Sequence, residues 1–184
     1  MATNHTENAA QSDMLAVKHL WPFVKTKSNV TLDQALMLAE EGYLSISTTL
    51  ENAVTSVNKK LKRSTEVGMD LSDGSEIKFM TARYRSSGNS HKGKMYKSIL
   101  ATLSPTALKN KTGALRVCIL HIDKNGNDTM RFFVIPFPTW QKRMTKAGIT
   151  FAFSRKDDSK FTPTAEKKWA EFEVKNLKQF SACL

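Results

Sequence analysis

Val67-Gly-Met-Asp70-Leu-Ser-Asp73-Gly-Ser-Glu76-Ile-Lys78-Phe-Met-Thr-Ala-Arg83-Tyr84 is the stretch where the pattern of the chain changes. Upstream of it, apolar residues recur at helical spacing. Met14, Leu15, Val17, Leu20, Trp21 and Val24 predict a helix over 13–24. Thr31 is placed to cap a second helix that ends at Gly42, and Leu50, Ala53, Val54, Val57 and Leu61 predict a third over 47–62. From Val67 onward the pattern is that of strands, over 67–71 and 75–84, joined by Ser72-Asp73-Gly74, whose chemistry suits a tight hairpin turn. Further strands are expected over 115–123 and 130–136 around the turn Lys124-Asn-Gly-Asn127. Helices are expected over 94–108 and 139–147, and Thr162-Pro163 opens a last one, with Pro at the first helical position. Helices first, a strand-rich middle and a closing helix predict an α/β (α+β) fold, a central mixed β-sheet flanked by helices with an N-terminal helical region. Residues 1–12 are read as a flexible polar arm. Residues 13–184 are read as a single domain, with N-terminal helices over 13–62, a core over 63–145 and a C-terminal segment over 146–184.

A chain of 184 residues suits one hydrophobic core, and 40% hydrophobic with 24% charged residues is an ordinary globular balance. The exception is the sign of the charge. With 28 Lys and Arg against 17 Asp and Glu, the formal net charge is +11. Such an excess favours a polyanionic partner, because neutralising phosphates releases their condensed counterions. Cys118 and Cys183 form neither a disulfide framework nor a zinc-type pair, which points to a reducing, cytoplasmic interior. The polar N-terminus has no apolar core of a secretory signal, and no run reaches the length of a membrane span.

Asp70, Glu76 and Lys78 carry the candidate chemistry. On an extended strand Glu76 and Lys78 point to the same face, with Ile77 turned to the core behind them. A hairpin at Asp73-Gly74 would bring Asp70 beside them. Two convergent carboxylates are hard oxygen ligands suited to Mg²⁺, which retains positions for water and phosphate oxygens. A metal so held activates water and neutralises charge on a phosphodiester, while a lysine supplies a point charge beside the developing oxyanion. Glu-x-Lys alone carries little weight, since Glu166-Lys-Lys168 and Glu173-Val-Lys175 repeat it on what is read as a solvated C-terminal helix. Only the first copy follows an Asp and a Gly turn. Asp73 competes with Asp70 for the first metal position and ranks second, because a residue at the centre of a tight turn points to solvent or to its own backbone.

Gly68-Met-Asp70-Leu-Ser-Asp-Gly-Ser-Glu76-Ile-Lys78 resembles the signature of the PD-(D/E)XK nuclease superfamily, to which most type II restriction endonucleases belong. Leu50-Glu51-Asn-Ala-Val is similar to the helix that precedes the catalytic strand there, and Arg116-Val-Cys-Ile-Leu-His and Arg131-Phe-Phe-Val-Ile resemble its later core strands. The resemblance implies a restriction-endonuclease-like fold, Mg²⁺ held by Asp70, Glu76 and the Ile77 carbonyl, Lys78 assisting hydrolysis, and Glu51 as a further acidic residue. It departs from the pattern at Met69, where the eponymous motif has Pro.

Charge distribution agrees with that resemblance. Phe79 to Ile122 contains no acidic residue, while Arg83, Arg85, Lys92, Lys94, Lys97, Lys109, Lys111 and Arg116 fall within it. Arg83, Arg85, Asn89, Lys92, Lys94 and Lys97 are the expected DNA contacts, with Arg and Asn suited to base edges and Lys to phosphates. His5, His19, His91 and His121 show no metal-ligand spacing. The expected function is a Mg²⁺-dependent endonuclease of double-stranded DNA, acting as a homodimer of the type II restriction kind. The alternatives are a DNA repair or junction-resolving nuclease, and a non-catalytic nucleic-acid-binding protein whose Asp70 and Glu76 are a surface ion-pair set.

Overall fold

The computed structural model describes residues 7–24, 29–65, 70–84, 89–91, 94–96, 99–153 and 163–183. The helices in chain order are α1 (Glu7–Leu20), α2 (Leu32–Glu40), α3 (Ile46–Val57), α4 (Phe137–Arg143), α5 (Pro163–Ala170) and α6 (Leu177–Phe180). The strands are β1 (Glu76–Arg83), β2 (Asn89–His91), β3 (Lys94–Tyr96), β4 (Ile99–Leu103), β5 (Leu115–Ile122), β6 (Asp128–Ile135), β7 (Ile149–Phe153) and β8 (Glu173–Val174). The fold is mixed α+β. Its centre is a four-stranded sheet in the order β1-β5-β6-β8, in which β1 runs parallel to β5 and the other pairs are antiparallel.

β5 explains why this sheet lies in the middle. Leu115, Val117 and Ile119 join one apolar cluster, while Cys118, Leu120 and Ile122 join another on the opposite face. Burial on both faces is what a continuous apolar run predicts. One face is covered by α1, α3 and α6 through Ala16, Leu20, Leu50, Val54 and Phe180, and α2 packs on α1 through Ala35 and Ala39. The other is covered by the β4–β7 pair, α4 and α5, through Leu103, Phe151, Trp140 and Trp169. Two of the helix starts follow their capping residues. Thr31 Oγ1 accepts the Gln34 N–H while Gln34 Oε1 accepts the Thr31 N–H, a reciprocal capping box, and Ser45 Oγ accepts the Thr48 N–H at the head of α3.

Several expectations are corrected. α1 begins at Glu7, so residues 7–12 are helix rather than loose arm, and Ser12 is buried. α3 stops at Val57, because Asn58 leaves the helix and its amide reaches the Ser181 carbonyl at 2.6 Å. The stretch 94–108 is not a helix. It forms β3, β4 and a 3₁₀ turn over Thr106–Leu108, because alternate residues Ile99, Ala101 and Leu103 are buried while β4 pairs with β7. Helix α4 is shorter than the expected 139–147 and starts earlier. Within the C-terminal segment, β7 pairs with β4 and β8 with β6, strands that were not expected there. Glu173 accordingly lies on a strand paired with β6, not on a solvated helix, and chelates Arg131 at 2.6 and 2.7 Å. No helix among the described residues is long and apolar enough to cross a membrane.

One close approach fixes the turn before β1. A Cβ on Gly113 would fall 1.6 Å from the Gly74 carbonyl oxygen, with Ser75 Cα also near. Both atoms are backbone and cannot rotate away. Gly113→Ala is therefore expected to destabilise the fold by about 1–3 kcal/mol or more, read as a lowered urea midpoint. An unchanged midpoint would mean that the two turns do not touch.

Candidate active site

The start of β1 is shaped by a tight turn and an open sheet edge. Gly74 adopts φ +79°, its N–H donates to the Leu71 carbonyl, and the Leu71 N–H donates to the Ser75 carbonyl. Of the expected strand over 67–71, residues 67–69 lie outside the described residues, and Leu71 forms a single bridge to Arg63. The Glu76 N–H donates inward to the Ala114 carbonyl at 2.8 Å. Ile77 therefore turns its N–H outward, as the alternation of an extended strand requires, and its carbonyl to the same open edge. Among the described residues no neighbouring strand meets that N–H. Asp70 Oδ2 accepts it at 2.8 Å, so a side chain takes the place of a ladder partner.

This contact delivers Asp70 to the other two residues. Lys78 Nζ lies 3.2 Å from Asp70 Oδ2 and 3.4 Å from Glu76 Oε2. Asp70 and Lys78 are partly open to solvent, at 26% and 22% exposure, whereas Glu76 is 1% exposed. Ile77 packs in the core behind them. A second ammonium, Lys111 Nζ, sits 2.8 Å from the same Glu76 Oε2. The other oxygen, Glu76 Oε1, is buried without a hydrogen-bond partner among the described residues.

The two carboxyls are shifted in opposite directions. Burial pushes the Glu76 carboxyl up, and the nearby Asp70 charge adds to it, outweighing the pull of Lys111 and Lys78. Burial also acts on Asp70, but the Ile77 N–H and the Lys78 ammonium together hold its carboxyl below the usual range. Glu51, on α3, feels the charges of Asp70 and Lys78. Burial raises its carboxyl despite the Arg63 guanidinium 2.7 Å away. Asp70, Glu76, Lys78 and Glu51 thus meet in one electrostatic neighbourhood.

Asp73 belongs elsewhere. Its Oδ2 lies 2.6 Å from Arg116 Nη2, and its Oδ1 accepts the Ser75 N–H at 3.1 Å. The turn centre points neither to solvent nor only to its own backbone, because a fully buried arginine faces it. Asp70, not Asp73, reaches Lys78. Among the described residues no group of three or more His, Cys, Asp or Glu side chains is already gathered as a metal-ion cage.

Comparison with protein-family models, curated proteins and solved structures returned no match.

The expected DNA contacts scatter. Arg83, at the end of β1, donates to Gln11 Oε1 at 2.8 Å and Ser12 Oγ at 3.0 Å, so it staples β1 to α1. Arg85, Lys92 and Lys97 lie outside the described residues, while Asn89 and Lys94 stand on the paired strands β2 and β3. Arg116 is buried and cannot contact DNA. Lys111 was legible only as one basic residue among eight. Its place beside Glu76 follows from the parallel register Glu76↔Leu115, which sets the loop ahead of β5 against the start of β1. A sequence reading confined to local hairpins has no access to that pairing.

Proposed function

We propose that this protein is a metal-dependent endonuclease of the PD-(D/E)XK type acting on double-stranded DNA. The observation that carries the reading is the meeting of Asp70, Glu76 and Lys78 at one open sheet edge, with Glu76 Oε1 buried and unpartnered. A buried carboxylate oxygen without a donor is costly, and such a group calls for a role. The donor set fits a hard divalent cation: Asp70, Glu76 and the outward Ile77 carbonyl would hold Mg²⁺. When bound, that ion would supply Lewis acidity and a lowered water pKa.

The chain's own residues do the rest. Asp70 is oriented by the Ile77 N–H. Lys78 is aimed at the same point and presents an ammonium to the phosphate oxygens. Lys111 balances Glu76 from the loop ahead of β5. β2 and β3 form a two-stranded ribbon within the acid-free segment, a shape the major groove admits. On this reading Arg85, Asn89, Lys92, Lys94 and Lys97 contribute DNA contacts, and the enzyme acts as a homodimer on a short duplex site. A repair or junction-resolving nuclease would use the same site.

A second reading is favoured by the ion pairs themselves. Asp70, Lys78, Glu76 and Lys111 form a chain of charge contacts that suits a non-catalytic nucleic-acid-binding protein. Incubation with a phage genome separates the two. The nuclease gives discrete bands with Mg²⁺ and none in EDTA, whereas affinity without turnover in Mg²⁺ or Mn²⁺ would leave the binding reading.

Lys111→Met is expected to lower cleavage by about 10–100-fold, as outer partners of metal ligands do, while duplex affinity in Ca²⁺ is largely kept. Equal loss of affinity and cleavage would make Lys111 a plain phosphate contact.

A further inference from the structure

The well-exposed large apolar side chains among the described residues are Phe23, in the 3₁₀ turn after α1, and Leu32, Met37, Leu38 and Tyr43, in or just after α2. This helix is packed with its small residues inward. Ala35 and Ala39, four residues apart, are buried, while Met37 is 61% and Tyr43 66% exposed. Gln34, Met37, Leu38 and Glu41 fall at i, i+3, i+4 and i+7, a single helical stripe. With Asn29 and Val30 they line an open groove of about 440 Å³. The charge here also inverts that of the whole chain. From Ser28 to Asn58 there is no Lys, Arg or His, and Asp33, Glu40 and Glu41 are exposed along the helix, on a protein whose net charge is +11.

We propose that this face of α2 is a docking groove for a basic amphipathic helix of a partner protein. Apolar knobs at helical spacing would enter between Met37, Leu38 and Val30, where the flexible thioether adapts to their shape. Lysines or arginines flanking those knobs would meet Asp33, Glu40 and Glu41. Nucleic acid is disfavoured, since its phosphates would face carboxylates. A symmetric pairing of two copies through α2 is disfavoured as well, because each acidic side chain would oppose the same patch on its copy. The inference does not depend on the nuclease reading.

The test uses the full chain, ¹⁵N-labelled, and a synthetic helical peptide with leucines at i, i+3, i+4 and i+7 and lysines elsewhere. Two controls accompany it: the same leucine stripe with glutamates in place of lysines, and a scrambled lysine peptide. Saturable shifts confined to 29–43 with the first peptide alone are expected. Met37→Asp, at an exposed position, should weaken binding by roughly tenfold or more with an unchanged thermal midpoint. Glu41→Lys should weaken the lysine peptide and favour the glutamate one. Absence of shifts, equal binding of both leucine peptides, or shifts that track protein concentration with a dimer in sedimentation that Met37→Asp dissolves would each overturn the proposal.

Discussion

Glu76→Gln is expected to lower metal-dependent DNA cleavage by at least about 10²–10³-fold and to leave the thermal midpoint unchanged or raised. The two effects share one cause. Glu76 is buried, one of its oxygens has no partner, and burial pushes its carboxyl above the ordinary value of 4.5. A group whose pKa is raised by folding stabilises the fold in its protonated form. That contribution is complete below the ordinary value and is lost as pH rises through the raised one. Above that raised value the ionised carboxylate is therefore a burden on stability, and the neutral amide removes it. Sites that carry function commonly oppose stability in this way. Asp70→Ala and Lys78→Ala should match the loss of cleavage without the gain in stability, because each breaks the Asp70–Lys78 contact and the first also leaves the Ile77 N–H without its acceptor. Cleavage at the wild-type rate by Glu76→Gln would sink the nuclease reading. A lowered midpoint would instead show that Lys78 and Lys111 need the charge more than burial opposes it.

Local chemistry was legible where one segment decides its own structure. The Thr31 capping box, the apolar run of β5 and the alternation that turns Glu76 and Lys78 to one face each follow from neighbours in sequence. Pairings between distant segments were not. β4 was hidden because Ile99–Leu103 is short, contains Ala and Leu, and becomes a strand only through its partner β7. The same limit applied to the site. Asp70 was expected to reach Glu76 along a hairpin ladder, whereas its carboxylate spans the open edge to the Ile77 N–H. Lys111 arrives through a parallel pairing that no turn announces.

Asp73 shows the same limit from the other side, because the residue that claims it lies far along the chain. Arg116 is fully buried, and each of its nitrogens is engaged. Nε donates to Ser75 Oγ at 2.8 Å, Nη1 to the Phe180 carbonyl, and Nη2 to Asp73 Oδ2 at 2.6 Å and the Ala182 carbonyl at 2.8 Å. One guanidinium thereby ties the turn before β1 to the C-terminal segment through the core. It stands in the acid-free segment on a strand, and its fork of donors is what a buried junction of carboxylate, hydroxyl and carbonyls needs.

Arg116→Met is accordingly expected to destabilise the fold by about 3–5 kcal/mol, since it takes the guanidinium donors from the half-buried Asp73 carboxylate and from two carbonyls. Arg116→Lys should recover only part of this, because a single ammonium cannot reach all the acceptors at once. Adding Asp73→Asn to Arg116→Met should also recover part, by removing the stranded charge but not the orphaned carbonyls. The acid limb of stability gives an independent check. The Ser75 hydroxyl and N–H and the Arg116 guanidinium outweigh burial and hold the Asp73 carboxyl below its ordinary value of 3.8. A carboxyl depressed by folding contributes stability that is complete above that ordinary value and is lost as pH falls through the lower, folded one. Urea midpoints followed from neutral pH into that acid range should therefore fall more steeply for the wild type than for Asp73→Asn. Parallel curves would mean that Asp73 is not tied to Arg116 in solution. A neutral Arg116→Met would mean that the C-terminal segment is held by Phe180 and Leu177 packing alone.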